Sequence, residues 1–315
     1  MLTINGVRVD DPQRPAVIAE ISGNHAQDFQ QACNLVRAAA SSGADFCKFQ
    51  TFEPAELCAD VPILFGHDDA HDVWVRKQGV TRLRDLMKGG LQRAWHAPLK
   101  KLADSLGITF LSTPFSVDAA KFLIEEIGVP ALKIASFDLT FTPLLEYAKS
   151  TMLPIFLSTG GTTMEEIQCA TWRTLDTAYA TRVVLLHCMA LYPCHSSDAN
   201  LRAIHTLKGF GCAAVGWSDH TLSVDLVPAL AVAQGACVIE KHIRLADDTT
   251  SVDAGHALTP GEFKRMVETV RKVPAILGHG RKEPHARELH ERLWARRDQS
   301  DWLRPTQAAR EGAWE

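Results

Sequence analysis

Short apolar runs rich in β-branched residues recur along this chain, each followed by a stretch whose apolar positions have helical spacing. The runs cover 17–22, 45–50, 108–112, 131–135, 155–158, 183–188, 213–217 and 236–240. The helical stretches cover 29–41, 91–106, 117–127, 143–150, 164–178, 200–207, 222–234 and 260–277. Strands buried on both faces read as continuous apolar runs, and a crossover helix between two of them makes the pair parallel. Eight such units over roughly 250 residues predict an α/β fold of the (β/α)8 TIM-barrel type. An open doubly wound sheet is the alternative, because strand count alone does not prove closure.

Gly43, Gly128 and Gly235 each stand between a helical stretch and the next strand, the place of a helix C-cap. Residues 2–9 read as an N-terminal hairpin with Asn5-Gly6 at its turn, placed to plug the bottom of the barrel. Two segments break the rhythm. Residues 53–92 form an insertion after the second strand and carry His67, Asp68, Asp69, His71 and Asp72. Loops in that position lie on the active-site face of a barrel. The cluster reads as a metal site or, more ordinarily, as a solvated polar loop. The last segment, 279–315, is a charged tail carrying Trp294, Trp302 and Trp314, expected to dock on the barrel or on a partner subunit. The expected division is a catalytic barrel at 1–278 and a tail at 279–315, with no second folded domain.

Composition narrows the class. The net charge is −4 without a basic stripe, which argues against nucleic acid as a partner. No apolar run reaches membrane-spanning length, and the N-terminus lacks the features of a signal peptide. The eight cysteines include no CxxC pair, and several sit inside apolar runs. That usage fits reduced, core-packed thiols in a cytoplasmic protein. Cys188 and Cys194 are close enough in sequence for a redox pair, the less common use of such residues.

In a TIM barrel the functional groups stand at the C-terminal ends of the strands. Here those positions hold Glu20, Lys48, Gln50, Ser112, Thr113, Lys133, Ser136, Ser158, Thr159, His187, Ser218, His220, Glu240, Lys241 and His242. A lysine that ends an apolar strand is costly unless it is paired. Lys48 and Lys133 converging from different strands therefore point to a multiply charged anion, the alternative being local pairing with Glu20 or Asp138. Thr113, Ser136, Ser158 and Ser218 add donors suited to phosphate and carboxylate oxygens. Leu157-Ser158-Thr159-Gly160-Gly161 adds a glycine turn before a helix, where backbone N–H groups favour anions. His220 and His242, with Asp219, Glu240 and Asp253 nearby, read as ligands of a divalent metal. Imidazoles with oxygen donors suit Mn²⁺ first, with Mg²⁺ or Co²⁺ as alternatives. No thiolates stand at the spacing of a structural zinc site.

Taken in order, these motifs resemble those of the sialic acid synthases, which include the N-acetylneuraminate, legionaminate and pseudaminate synthases. The carriers are Ala19-Glu20-Ile21 with Asn24-His25, Lys48-Phe49-Gln50-Thr51, Ser112-Thr113-Pro114-Phe115, Lys133-Ile134-Ala135-Ser136 and Leu157-Ser158-Thr159-Gly160. They continue with His187-Cys188, Tyr192-Pro193, Asn200-Leu201-Arg202, Ser218-Asp219-His220-Thr221 and Glu240-Lys241-His242. The resemblance covers roughly residues 15–278. It implies a barrel that condenses phosphoenolpyruvate with an aldose and releases phosphate, acting on small molecules as a homodimer. It implies that Lys48, Thr113, Lys133, Ser136, Ser158 and Ser218 hold phosphoenolpyruvate, and that His220 and His242 hold the metal. Glu20 resembles the acid/base glutamate, with Lys48, Lys133 and Asp253 also at the reacting centre. Gln50, Asp138, Tyr192 and Asp253 resemble contacts to the acceptor.

The departures fall on the acceptor side. The family has Gly after Asn-His-x where this chain has Gln27, and Glu where it has Asp138. The pair after His-Cys is Met189-Ala190 in place of Thr-Asn or Thr-Ser. The run Asp-His-x-x-Ser-Leu is here Asp253-Ala254-Gly255-His256-Ala257-Leu258. Family members also carry a C-terminal antifreeze-like domain that supplies an arginine to the partner's acceptor site, and this sequence is expected to lack it. The expected activity is a metal-dependent, phosphoenolpyruvate-using synthesis of a 2-keto-3-deoxy acid. The alternatives are a metal-dependent aldolase using pyruvate and a non-catalytic binding barrel.

Overall fold

The computed structural model describes residues 1–62, 89–251 and 253–312. The chain divides into two compact units, Met1–Ile276 and Leu277–Glu315. The first opens with a hairpin of β1 (Thr3–Ile4) and β2 (Val7–Arg8), turned by Asn5 and Gly6 at φ 50° and 81°. Eight parallel strands follow: β3 (Ala16–Glu20), β4 (Phe46–Thr51), β5 (Thr109–Pro114), β6 (Leu132–Ile134), β7 (Ile155–Ser158), β8 (Val183–Cys188), β9 (Ala214–Asp219) and β10 (Val238–His242). All eight predicted strands form, each within two residues of its predicted ends.

The ladder runs β5-β4-β3-β10-β9-β8-β7-β6, so the first and last strands of the barrel, β3 and β10, pair, with His242 opposite Glu20. β5 and β6, consecutive in sequence, lie side by side at the seam. Every strand therefore stands next to its sequence neighbours in a ring, which is the (β/α)8 TIM barrel.

Side chains alternate between the two faces of each strand. The inward set at the N-terminal end includes Ile18, Phe46, Leu111, Phe156, Val184 and Leu186, packed in one buried cluster with Leu2, Ile4 and Val9 of the hairpin segment. The hairpin thus fills the bottom of the barrel, as its sequence predicts. Burying side chains of this size contributes about 1.5–3 kcal/mol each. The outward set packs against the helices in a second, larger cluster. The helix Phe29–Ser41 shows why these segments form: the Asp28 side chain accepts from Gln31 N at its start, and Ala32, Leu35, Val36 and Ala39 bury one face.

Some helical stretches differ from their sequence pattern. Val117–Lys121 passes into a π-helical segment, Phe122–Ile127, and Met164–Gln168 passes into another, Cys169–Thr174. The helix expected from residue 200 begins at Ala203, because Asn200 is left-handed at φ 43°. Gly43, Gly128 and Gly235 have φ of 84°, 71° and 93°, the left-handed conformation of a helix C-cap.

The second unit contains the helices Glu288–Ala295 and Gln307–Arg310, and Arg310 is ion-paired with Asp301. Trp294 and Trp302 are exposed, and Trp314 lies outside the described residues. The insertion cluster from His67 to Asp72 also lies outside them. Among the described residues, no helix is long and apolar enough to cross a membrane.

Candidate active site

Inside the barrel the walls change from apolar to polar at one level. Two residues beyond the inward Ile18, Phe46, Leu111 and Ala131 stand Glu20, Lys48, Thr113 and Lys133. Two residues beyond Phe156, Leu186, Gly216 and Val238 stand Ser158, Cys188, Ser218 and Glu240. Each of the eight strands contributes one of these residues to the wall of a cavity of about 390 Å³, its open part included. Gln50, Ser136, Tyr192, His220 and His242 line it further out along the same strands and the loops that follow.

The wall is charged, and its charges are paired. Lys48 is buried in contact with the Glu20 carboxylate, 3.7 Å from Glu240 Oε2, and donates to Thr113 Oγ1 at 3.1 Å. Lys133 Nζ lies 3.8 Å from Glu240 Oε1, which also accepts from Ser218 Oγ at 2.9 Å. Gln50 donates to Glu20 Oε1 at 3.0 Å. Burial raises the Glu20 carboxyl to about 7, against the opposing pull of Lys48. Burial acts the same way on Glu240, but Lys133 and Lys48 together outweigh it and hold that carboxyl below its usual range. Burial lowers the Lys133 ammonium, while Glu20 and Glu240 keep Lys48 above the ordinary value despite its burial. The two carboxyls that share these lysines are thus pushed in opposite directions, Glu20 up and Glu240 down.

Ser158 Oγ is buried in this wall without a hydrogen-bond partner. An unsatisfied buried hydroxyl on a wall that two lysines also line is a position for a ligand oxygen. Ser136 Oγ accepts from Gly160 N at 2.9 Å and lies 3.1 Å from Cys188 Sγ. A Cβ at Gly160 would stand 2.6 Å from that sulfur and 3.0 Å from that hydroxyl. Gly160→Ala is expected to push the Ser136 hydroxyl off its position and raise the apparent KM for the anionic substrate by about tenfold, the order of one lost hydrogen bond to a charged group. Steady-state kinetics with an unchanged KM would contradict it.

The histidines stand on the β9 and β10 side. His220 Nδ1 lies 2.7 Å from Met189 O. A carbonyl oxygen only accepts, so this nitrogen carries the proton and Nε2 keeps its lone pair for a ligand. Burial lowers His220 to about 3 and His242 well below its usual value, so both are neutral imidazoles. Tyr192, half exposed, packs its ring 4.1 Å from that of His220.

Two of the residues expected at the site do not line the cavity. Asp138 ends the short turn Ser136–Asp138 after β6, and burial raises its carboxyl to about 6 against the pull of Lys133. Asp253 stands 3.7 Å from His242 Nδ1 and 3.7 Å from His256 Nε2. Its backbone N–H donates to Asn24 Oδ1, and Asn24 Nδ2 donates to Ile243 O. Asn24 is fully buried and ties the loop after β3 to the loop after β10. Asn24→Ala leaves both partners unsatisfied and is expected to cost about 1–3 kcal/mol of stability in urea denaturation.

Gln27, where the sequence departs from glycine, is left-handed at φ 56°. Its side chain donates to Gly90 O and accepts from Gln92 Nε2 across the loops, contacts that glycine cannot make. Lys241 and Asp219 form a fully buried pair away from the cavity. Cys188 and Cys194 are both free thiols. Glu240, named among the strand ends but given no role by the sequence reading, stands on the wall between the two lysines. Period-two alternation on β10, running Val238, Glu240, His242, is the signal that identifies it.

Comparisons with known proteins agree with the resemblance drawn from the motifs. The N,N'-diacetyllegionaminic acid synthase of Legionella pneumophila is 37% identical over 93% of this chain and 82% of that protein. The pseudaminic acid synthase of Helicobacter pylori is 34% identical over 86% of this chain and 77% of its own. The crystal structure of N-acetylneuraminic acid synthetase from Leptospira borgpetersenii, in complex with citrate, matches with a TM-score of 0.78. It is 32% identical and covers 92% of this chain and 94% of that one. The family model described as the NeuB family matches residues 35–282, so a ring of eight strands with this polar wall belongs to a member of the NeuB family.

Proposed function

We propose that this protein condenses phosphoenolpyruvate with the aldehyde of an aldose or sugar-like acceptor, releasing phosphate and a 2-keto-3-deoxy sugar acid. The observation that carries the reading is the convergence of Lys48 and Lys133 with Thr113, Ser158 and Ser218 on one cavity wall. Two ammonium groups with hydroxyl donors suit a small ligand carrying both a phosphate and a carboxylate. The relatives named as synthases of legionaminic and pseudaminic acid support it.

Lys48 and Lys133 hold the two anionic groups and fix the orientation of the three-carbon unit. Its C3 bonds to the acceptor's aldehyde carbon, and the aldehyde oxygen takes a proton from solvent to become a hydroxyl. Water adds at C2 and gives up a proton to Glu20, whose raised carboxyl suits that exchange. The bond between C2 and the bridging oxygen then breaks, phosphate leaves with that oxygen and with the proton of the C2 hydroxyl, and C2 becomes the ketone. Gln50 and Tyr192 contact the acceptor from the cavity wall, which Asp138 and Asp253 do not line.

His220 and His242 fit a divalent ion, Mn²⁺ in the first place, with His220 Nε2 free by tautomer and His242 Nδ1 buried without a partner. When bound, such an ion supplies Lewis acidity toward an aldehyde oxygen.

The test incubates the protein with phosphoenolpyruvate labelled with ¹⁸O at the bridging position, Mn²⁺ and a panel of aldoses. Label in the released phosphate, with a matching product mass, supports the proposal. Product formed from pyruvate with no phosphate released would identify an aldolase instead.

A further inference from the structure

Three imidazoles and one carboxylate meet beside the C-terminal ends of β9 and β10. The ring centroids of His242 and His256 are 4.5 Å apart, those of His220 and His242 5.6 Å, and those of His220 and His256 6.1 Å. All three histidines are buried. Ligand atoms of His242, Asp253 and His256 lie within 4.8 Å of one another.

Two of the ring nitrogens here are unsatisfied. His242 Nδ1 and His256 Nε2 are both buried without a hydrogen-bond partner. The Asp253 oxygens approach each of them only to 3.7 Å, too long for a hydrogen bond. A buried polar atom left unpaired costs about 1–3 kcal/mol, and two of them around one carboxylate call for a shared partner. A divalent cation satisfies all three groups at once.

The local chain explains why His256 is available. His256 N and Ala257 N both donate to Asp253 O in a tight turn, which sets the carboxylate and the imidazole side by side. The turn returns to β10 through Leu258 N donating to His242 O. Asn24 fixes the Asp253 end from the loop after β3. In the run that departs from the family pattern, the histidine stands three residues beyond Asp253 rather than next to it.

The geometry points to His256 as a third imidazole ligand of the divalent ion, with Asp253 as its carboxylate; this rests on the reading that His220 and His242 bind that ion. Three nitrogens and one oxygen favour Co²⁺, Zn²⁺ or Mn²⁺ over Mg²⁺, which prefers oxygen donors.

The test uses Co²⁺ with the full chain and no substrates. Equilibrium dialysis gives the dissociation constant, and X-ray absorption of the loaded protein counts the imidazoles. Three are expected in the wild type and two in His256→Gln and His256→Ala, with the dissociation constant raised more than about tenfold, the scale set by loss of a supporting group at a metal. Thermal melts followed by circular dichroism check the fold, and the polar His256→Gln carries the test should His256→Ala fail to fold. A wild-type count of two, or dissociation constants in the variants within about tenfold of the wild type, would overturn the assignment. Failure of the wild type to bind Co²⁺ would also overturn it, while phosphate release from phosphoenolpyruvate is scored by its own assay.

Discussion

Glu20→Gln is expected to cut turnover by about 10²- to 10⁴-fold, the usual contribution of a positioned general base. The substitution keeps the size of the side chain and its hydrogen bond with Gln50, and it removes the exchangeable proton together with the charge that pairs with Lys48. Burial places the Glu20 carboxyl at about 7, so it is a base above that pH and an acid below it. In the wild type, kcat/KM should therefore fall as pH drops through about 7. In Glu20→Gln that limb should vanish, and whatever remains belongs to the ionisation of the substrate. The variant also leaves Lys48 with Glu240 as its remaining carboxylate, at 3.7 Å, so phosphoenolpyruvate should bind at least as tightly as before. A rate like that of the wild type, or an acid limb that survives unchanged, would remove Glu20 from the chemistry.

Lys241→Met should lower the free energy of unfolding by about 3–5 kcal/mol, the cost of stranding one member of a buried ion pair. Lys241 and Asp219 are opposite each other on β10 and β9, neither has any solvent exposure, and their charged atoms are 2.9 Å apart. Lys241 also donates to Thr221 O, and Asp219 Oδ1 accepts from Thr221 N at 2.8 Å. Removing the ammonium leaves the Asp219 carboxylate buried without its counter-charge. The double variant Lys241→Met, Asp219→Asn should recover more than half of the loss, because the amide oxygen still accepts from Thr221 and no charge is left buried. The midpoint of urea denaturation reads both. A single variant within about 1 kcal/mol of the wild type would show that the pair is not the anchor between these strands.

The strands were legible because burial on both faces leaves an uninterrupted apolar run, and the hairpin because Asn5-Gly6 suits only a tight turn. The π-helical segments Phe122–Ile127 and Cys169–Thr174 were not, since six residues are too few to display a changed period. At the site, strand ends alone could not sort adjacent residues by face. Thr113 points into the cavity, whereas Ser112 lies behind it, hydrogen-bonded at 2.7 Å to Thr51. Glu240 faces the lysines of the cavity and Lys241 pairs with Asp219 away from it, although both follow the same apolar run. His256 was seen only as a departure in a motif, because its nearness to His242 is created by the turn at Asp253 and by no periodicity.

The cavity wall takes one side chain from each strand, so no segment of the chain holds a partial version of the site. Glu20 and Glu240 become neighbours only when β3 pairs with β10, closing a ring whose ends are as far apart in sequence as Asn24 and Ile243, 219 positions. A ligand spanning Lys48, Lys133 and Ser218 then draws its binding free energy from the closed ring and from no lesser assembly, and returns it to the whole ring by linkage. Saturating phosphoenolpyruvate should accordingly slow amide exchange in β3 and β10 as much as in β4 and β6, which makes the barrel one cooperative unit in the presence of substrate.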